Sequence, residues 1–214
     1  MPDGPLGDPL PAGTRAPQAA ETKAAETKAG LRRSQAARRR RTDPRASLDG
    51  ALGERIARQV LALPETAAAA RVAAFVSLPG EPSTLPLLDA LRARGIQVLL
   101  PVVRGDLDLD FREYGGTLLP GALGTREPPP AAALADLATV DVALVPAVAV
   151  DTLGHRLGRG GGSYDRALRR ARPGTLLVAL VDEYALVPAV PVAAHDLSVS
   201  VIVTPSRVVR CPPV

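Results

Sequence analysis

Apolar positions along the chain follow two periods, and the alternation between them predicts the secondary structure. Short runs of apolar, often β-branched residues predict buried strands at 71–78, 96–103, 141–150, 175–181 and 198–205. Between these runs, apolar residues recur at helical spacing and predict helices over 47–64, 83–95 and 163–171. The segment 108–114 predicts a polar-faced edge strand, and 131–138 predicts a short helix.

Residues at the ends of the predicted helices support these boundaries. Ser47 can cap the helix over 47–64, and Ser83 or Thr84 can cap the helix over 83–95, because their hydroxyls can accept from free backbone N–H groups. Gly95 can end that helix in the left-handed conformation.

Strands separated by helices imply right-handed crossovers and a mainly parallel sheet. We therefore predict a single α/β domain with an open sheet in a three-layer α/β/α arrangement of the Rossmann-like type. Ligands of such sheets bind at the carboxyl ends of the strands.

The first 27 residues lack apolar periodicity and are rich in Pro, Gly, Ala and Thr. This composition predicts a disordered extension with nascent helix at its end, around the small repeat ETKAAETKA. From Lys28 to Arg41, Ala and Arg favour a helix that Asp43 and Pro44 stop. The predicted organisation is a tail over 1–27 and a folded domain over 28–214.

Composition narrows the class of protein. A chain of 214 residues that is 46% hydrophobic can bury one good core. Cys211 is the only cysteine, which excludes an intrachain disulfide and a cysteine-based zinc site. No secretion signal opens the chain, and its longest apolar run is far shorter than the ~20 residues that span a bilayer. These features predict a cytoplasmic protein with no membrane partner.

The net charge of +4 is concentrated in one segment. Residues 31–45 hold seven arginines and one aspartate, whereas 1–30 and 46–214 each have one more acidic than basic residue. The folded body is therefore close to neutral, which argues against a broad basic surface for nucleic acid.

The sequence DTLGHRLGRGGGSYDR, residues 151–166, holds the most specific chemical signal. It follows an apolar strand and contains five glycines, three arginines and two aspartates. Glycines before a helix let backbone N–H groups converge on an anion, and Arg156 and Arg159 add guanidinium groups suited to phosphate oxygens. Asp165 lies where a carboxylate could bind the magnesium of a nucleotide. The pattern lacks the GK[ST] of a Walker loop and the GxGxxG of dinucleotide folds, so the residues alone indicate an unspecified phosphate or nucleotide ligand.

This stretch closely resembles the signature of the 5-formyltetrahydrofolate cyclo-ligase family, also called 5,10-methenyltetrahydrofolate synthetase. Four further segments occur in the order and spacing of that family, so the resemblance extends over about residues 28–205: KAGLR at 28–32, FVSLPGEPST at 75–84, GTREP at 124–128 and PVAAHDLSVSVIVTP at 191–205. The resemblance implies an ATP- and magnesium-dependent ligase of one-carbon metabolism. Such an enzyme converts 5-formyltetrahydrofolate to 5,10-methenyltetrahydrofolate through a phosphorylated formyl group and releases ADP and phosphate.

The resemblance also implies roles for individual residues. ATP would be bound by Lys28, Arg32, Arg156, Leu157, Gly158, Arg159, Gly160, Gly161, Gly162, Ser163 and Tyr164. Asp165 and Asp196 match the two carboxylates beside the metal, and Glu81 and Val76 match substrate contacts. Arg159 lies near the reacting formyl group and is the candidate catalytic residue. His155 has no counterpart role, and His195 is expected to position the loop around Asp196.

Two departures from the family pattern keep another function open. Ser163 stands where the family commonly has an aromatic residue, and GALGTREPP lacks an aromatic that some relatives place beside the pterin. These departures favour, as an alternative, a nucleotide- or folate-binding paralogue that does not catalyse ring closure. A nucleic-acid-binding protein that uses the arginine run 32–45 is a second alternative, although the run lacks interleaved aromatics. We expect a small-molecule substrate, no nucleic acid and a monomer.

Overall fold

The computed structural model describes residues 15–41, 50–193 and 195–213, with side chains described from residue 27 onward except that of Arg41. The helices are α1 (Arg15–Arg41), α2 (Ala51–Leu61), α3 (Pro64–Ala67), α4 (Leu85–Ala93) and α5 (Ser163–Leu168). The strands are β1 (Arg71–Ala73), β2 (Gln97–Val103), β3 (Leu109–Glu113), β4 (Leu119–Pro120), β5 (Arg126–Glu127), β6 (Leu134–Ala135), β7 (Val142–Pro146), β8 (Ala149–Val150), β9 (Arg156–Leu157), β10 (Leu176–Leu180), β11 (Val201–Val203) and β12 (Val208–Arg210).

Eight of the strands form one twisted sheet in the order β12-β11-β10-β7-β1-β2-β3-β6. The five strands from β11 to β2 are parallel, and the antiparallel strands β12, β3 and β6 lie outside them. The predicted α/β class and mainly parallel sheet are therefore confirmed. The strands β4 and β5, and β8 and β9, form two separate antiparallel ribbons.

Alternate residues of each central strand belong to opposite faces of the sheet. Val142 and Leu144 face a core that α2 and α4 cover, whereas Ala143 and Val145 face a second core that includes residues of α5. All four are almost completely buried, as the continuous apolar run of a parallel strand requires. The second face has the thinner cover, because α5 has only six residues and 3₁₀ turns complete the layer.

Several boundaries differ from the sequence predictions. The first helix begins at Arg15 rather than at Lys28, because the Ala-, Glu- and Lys-rich repeat continues it toward the N-terminus. The second begins at Ala51 after Gly50, whose φ is 64°, and the predicted cap Ser47 lies outside the described residues. The strand predicted over 71–78 is paired only as far as Ala73.

Three predictions were wrong in type, position or extent. Residues 131–138 form β6 and enter a 3₁₀ turn instead of forming a helix, because the Arg112 guanidinium binds the carbonyls of Pro130 and Ala132 and holds the segment against β3. As a consequence β3, predicted as an edge strand, has β6 outside it. The apolar run 141–150 is divided between β7 and the short β8, which pairs with β9.

None of the helices in the described part of the chain combines the length and the apolar character that crossing a bilayer requires.

Candidate active site

Two adjoining cavities lie at the carboxyl ends of β1, β7 and β10, where a parallel sheet is expected to bind ligands. The arginine cavity has a volume of about 380 Å³ and is lined by side chains that include Arg32, Arg39 and Arg40 of α1. The glycine-loop cavity has a volume of about 300 Å³ and is lined by residues of 158–165 and by apolar side chains from β2 and β3. Both cavities are lined by Glu81 and Arg159, together with Phe75 and residues 146–148.

The connection from β8 to α5 begins with a rigid segment. The Asp151 carboxylate is 2% exposed and accepts hydrogen bonds from the backbone N–H groups of Leu153, His155 and Val190, at 3.0, 3.1 and 2.9 Å. The His155 ring nitrogen Nδ1 lies 3.0 Å from the same carboxylate. His155, which the family pattern left without a role, therefore helps to hold this turn.

The second part of the connection, residues 158–162, contributes Gly158, Arg159, Gly161 and Gly162 to the lining of the glycine-loop cavity. Gly160 and Gly162 adopt φ values of 113° and 65°, which other residues rarely adopt. Within the described residues, the backbone N–H groups of Arg159, Gly160 and Gly161 have no acceptor. These donors fit an anion, and because α5 is short, the loop rather than a helix dipole must supply the attraction.

Arg156 and Asp165 form an ion pair at the floor of the glycine-loop cavity. The Arg156 Nη2 donates to Asp165 Oδ1 at 2.6 Å, and the Arg156 side chain is only 2% exposed. The Nε of Arg156 has no partner in the described part of the chain. A buried guanidinium with an unused donor favours a bound anion close to this carboxylate.

Helix α1 brings a second ion pair and the glycine loop together. Lys28 binds the Asp196 carboxylate, and Arg32, one turn later on the same helix face, donates from Nε to the Gly158 carbonyl at 2.9 Å. Burial disfavours the charge on Asp196, but hydrogen bonds from Lys28 and the Ala193 N–H outweigh it and hold its pKa below the usual range. His195 is exposed, and its carbonyl accepts at 3.3 Å from Arg169, the residue that follows α5, so His195 links the Asp196 segment to the end of that helix.

Glu81 links the loop after β1 to helix α1 and to the glycine loop. Its Oε1 accepts from Arg39 at 3.2 Å and from Arg159 at 2.9 Å, while its Oε2 accepts from the Leu78 N–H at 2.9 Å. Val76 lines the glycine-loop cavity, as its predicted substrate contact requires. Tyr164 lines the same cavity, and burial raises the pKa of its phenol, so the hydroxyl stays neutral.

Most of the predicted site residues line the two cavities, but four do not. Leu157 is 1% exposed and packs with Ala149 and Val190 in a small core, so its side chain lines neither cavity. Gly160, Asp196 and Lys28 also lie outside both cavity linings. Among the described residues, Asp165 and Asp196 do not form part of a preformed cluster of three or more metal-ligating side chains.

Sequence reasoning missed Arg39 and Tyr184. Arg39 donates from Nε to the Tyr184 hydroxyl at 3.3 Å, and both residues line the arginine cavity. The spacing of the basic residues could have identified Arg39. Lys28, Arg32 and Arg39 are separated by four and seven residues and therefore share one face of α1. Arg32 and Arg39 thus point toward the protein body, which leaves only part of the arginine run facing solvent.

The residues present fit ATP and magnesium. Free N–H groups of the glycine loop, the unused Arg156 donor and the guanidinium of Arg32 suit phosphate oxygens. The carboxylates of Asp165 and Asp196 are oxygen ligands of the kind magnesium prefers, and each is paired with a cation in this structure.

Comparison with known proteins identifies the family. The model described as 5-formyltetrahydrofolate cyclo-ligase family matches residues 24–205. The chain belongs to this family. A 5-formyltetrahydrofolate cyclo-ligase of Mycolicibacterium smegmatis is 42% identical over 143 residues, which cover 64% of this chain and 74% of that protein. One from Escherichia coli is 34% identical over 163 residues, covering 73% and 90% respectively.

Solved structures agree with this membership. The structure of 5,10-methenyltetrahydrofolate synthetase from Aquifex aeolicus superimposes with a TM-score of 0.75 and 28% identity, over 87% of this chain and 94% of that one. A synthetase of the same name from Mycoplasma pneumoniae has a TM-score of 0.67 at 17% identity and shares the fold. The chain is therefore an enzyme of the cyclo-ligase family, with that family's α/β architecture.

Proposed function

We propose that this enzyme converts 5-formyltetrahydrofolate to 5,10-methenyltetrahydrofolate and hydrolyses ATP to ADP and phosphate in the process. The observation that carries the proposal is the pair of adjoining cavities, whose shared wall contains Glu81 and Arg159. A reaction between two large substrates needs adjoining sites that meet at the reacting atoms, and this wall supplies such a meeting point.

The glycine-loop cavity suits the reacting ends of both substrates. Apolar side chains such as Val76, Leu109 and Tyr164 can pack against the pterin, and the Glu81 carboxylate can accept from its N–H groups. The free N–H groups of residues 159–161 are donors that could bind phosphate oxygens. Leu123 lines this cavity and is 75% exposed, and it belongs to the segment GALGTREPP, which lacks the aromatic residue expected beside the pterin.

ATP would supply the phosphoryl group that converts the formyl oxygen into a leaving group, and magnesium would share the phosphate charge. The residues of this chain would bind and orient ATP and its metal. Lys28, Arg32 and Arg156 would neutralise phosphate charge. Asp165 and Asp196 would hold the magnesium ion. Arg159 lies between the cavities and stabilises charge that develops on the transferred group. The adjacent folate nitrogen would then form a bond to the formyl carbon and lose its proton, and the bond from that carbon to the phosphorylated oxygen would break to release phosphate.

The test is the near-ultraviolet absorbance rise of methenyltetrahydrofolate with purified protein, 5-formyltetrahydrofolate, magnesium and ATP. We expect a rise that requires both ATP and magnesium. Asp165→Asn should lower the rate at least about 100-fold, because it removes a ligand of the metal that compensates phosphoryl charge. Asp106→Asn is a matched control, since Asp106 is exposed and lines neither cavity.

The same assay separates the proposed enzyme from the binding paralogue. A wild-type protein that binds ATP and the folate but produces no methenyltetrahydrofolate would contradict the proposed reaction and support the paralogue. Replacement of Ser163 by Tyr would then test whether the missing aromatic explains the lost turnover. Equal activity of wild type and Asp165→Asn would contradict the proposed metal role alone.

A further inference from the structure

Glu81, the substrate-side carboxylate, is bound by two arginines that belong to different segments. Arg39 comes from α1, and Arg159 comes from the glycine loop, yet both donate to the same oxygen, Oε1. The other oxygen is used by the Leu78 N–H. The family signature accounts for Glu81 and Arg159, but Arg39 lies outside it.

The two arginines are held very differently. The Arg159 side chain is 55% exposed and lines both cavities, and the next residue, Gly160, has a φ of 113°, which other residues rarely adopt. The Arg39 side chain is 27% exposed and is part of a long helix. Arg159 can therefore turn toward a ligand at little cost, whereas Arg39 keeps its position.

Further contacts hold Arg39 in place. Its Nε donates to the Tyr184 hydroxyl at 3.3 Å. Its aliphatic stem packs across Gly80, where an added Cβ would come within 3.0 Å of Arg39 Cδ. One guanidinium thus joins α1, the turn after β10 and the loop that carries Glu81.

We propose that Arg39 is a positioning residue for folate binding: it remains the partner of Glu81 while Arg159 leaves that carboxylate for the reacting groups. This inference rests on the proposed function. If Arg159 acts on the transferred phosphoryl group, Glu81 loses one of its two cationic partners when both substrates are bound. A buried carboxylate without a counter-charge is costly, so a second, fixed arginine keeps Glu81 oriented toward the substrate.

Replacement of Arg39 by Gln tests the proposal directly. Loss of a charge-assisted hydrogen bond to Glu81 should weaken 5-formyltetrahydrofolate binding about tenfold. Affinity is measured by titration calorimetry without ATP, so the result does not depend on turnover. In the assay with ATP, KM for the folate should rise in parallel, while KM for ATP should change by less than about twofold.

A double-mutant cycle shows whether Arg39 acts through Glu81. In a Glu81→Gln background, Arg39→Gln should change folate affinity by less than about twofold, because the carboxylate it positions is gone. Arg39→Lys keeps the charge and the stem and should restore most of the affinity. Arg33→Gln is the matched control, since Arg33 lies on the same helix, is exposed and lines neither cavity.

Three results would overturn the proposal. They are unchanged folate affinity in Arg39→Gln, an equal loss in the Glu81→Gln background, and an equal rise in KM for ATP. If Arg39→Gln does not fold, Arg39→Met carries the test, because Met keeps an apolar stem across Gly80 but removes the charge, and a folate affinity equal to that of wild type in that variant overturns the proposal.

Failure of the proposed function would look different. A wild-type protein that does not bind 5-formyltetrahydrofolate at all would contradict the substrate, and the role of Arg39 would be rejected with it. A wild-type protein that binds the folate, with Arg39→Gln binding equally well, would contradict the role of Arg39 alone.

Discussion

The two parts of the connection between β8 and α5 differ in how their backbone is held and in what it contacts. Residues 151–157 are fixed by the buried Asp151 carboxylate, which binds three backbone N–H groups and His155, and by the buried residues Gly154, Arg156 and Leu157. Residues 158–162 are held from outside by guanidinium groups, with Arg32 on the Gly158 carbonyl and Arg166 on the Gly161 carbonyl. The first part is a rigid base, and the second keeps its N–H groups available for a ligand.

This difference shows how one glycine-rich segment can combine stability with binding. Glycine is required in the base because neighbouring backbone comes too close for a side chain. In the second part, residues 158–162, which we call the rim, glycine is required because the backbone must adopt positive φ while its N–H groups stay free. Identical residues in one stretch therefore serve packing in one part and ligand contact in the other.

Gly154→Ala should have the largest effect on stability. Gly154 has a φ of 88°, and an added Cβ would lie 2.2 Å from the Val199 carbonyl oxygen. We expect the free energy of unfolding to fall by about 3 kcal/mol or more, because the backbone strain and the clash add. Chemical denaturation measures this change.

Gly174→Ala is the matched control for that substitution. Gly174 has a nearly identical φ of 89° but no atom within 4 Å of an added Cβ. Its cost should be confined to the strain, about 1 kcal/mol. Equal destabilisation by the two substitutions would show that close contact with the Val199 carbonyl is not the reason why residue 154 must be glycine.

Gly160→Ala should affect binding more than stability. Gly160 has a φ of 113°, but the nearest atom to an added Cβ is the Arg32 guanidinium carbon at 3.5 Å, so there is no steric conflict. We expect a loss of about 1 kcal/mol in unfolding free energy and, because the loop N–H groups are redirected, about tenfold weaker ATP binding. Calorimetric titration of ATP against the variant and against Gly174→Ala provides the comparison. A variant that binds ATP like wild type would show that the rim does not bind phosphate.

Lys28→Met should have the smallest effect, and that effect should depend on pH. The Asp196 pKa is held below its usual range, so its contribution to stability is complete above the unfolded pKa of about 3.9 and is lost as pH falls through the folded value. Without Lys28, this acid-side loss should become smaller, and stability near pH 7 should fall by about 1 kcal/mol or less.

Urea unfolding between pH 3 and pH 7 measures the effect of Lys28→Met. Arg33→Met serves as control, because Arg33 is exposed on the same helix. Parallel pH profiles for wild type and Lys28→Met would contradict the assigned ion pair.

The central sheet could be predicted because each strand carries its own apolar pattern. The run QVLLPVV became β2 and LLVAL became β10, within one residue at each end of the predicted segments. The helix predicted over 131–138 failed because the residue pattern contains no sign of Arg112, whose side chain holds that segment extended. A contact between distant segments overrode the local helix preference of Ala and Leu.

The candidate site also has some features that could be predicted from the sequence and others that only the tertiary structure shows. The sequence predicted, through its resemblance to the family, which segments carry the chemistry: the glycine signature, the two aspartates and Glu81. It also determined the parallel sheet, because apolar spacing is a local property that decides which side of each element is buried. Only the tertiary structure decided that Glu81 meets both Arg39 and Arg159, which are 42 and 78 residues away from it. Such meetings depend on how the strands are ordered and on where α1 packs, and no local spacing rule contains that information.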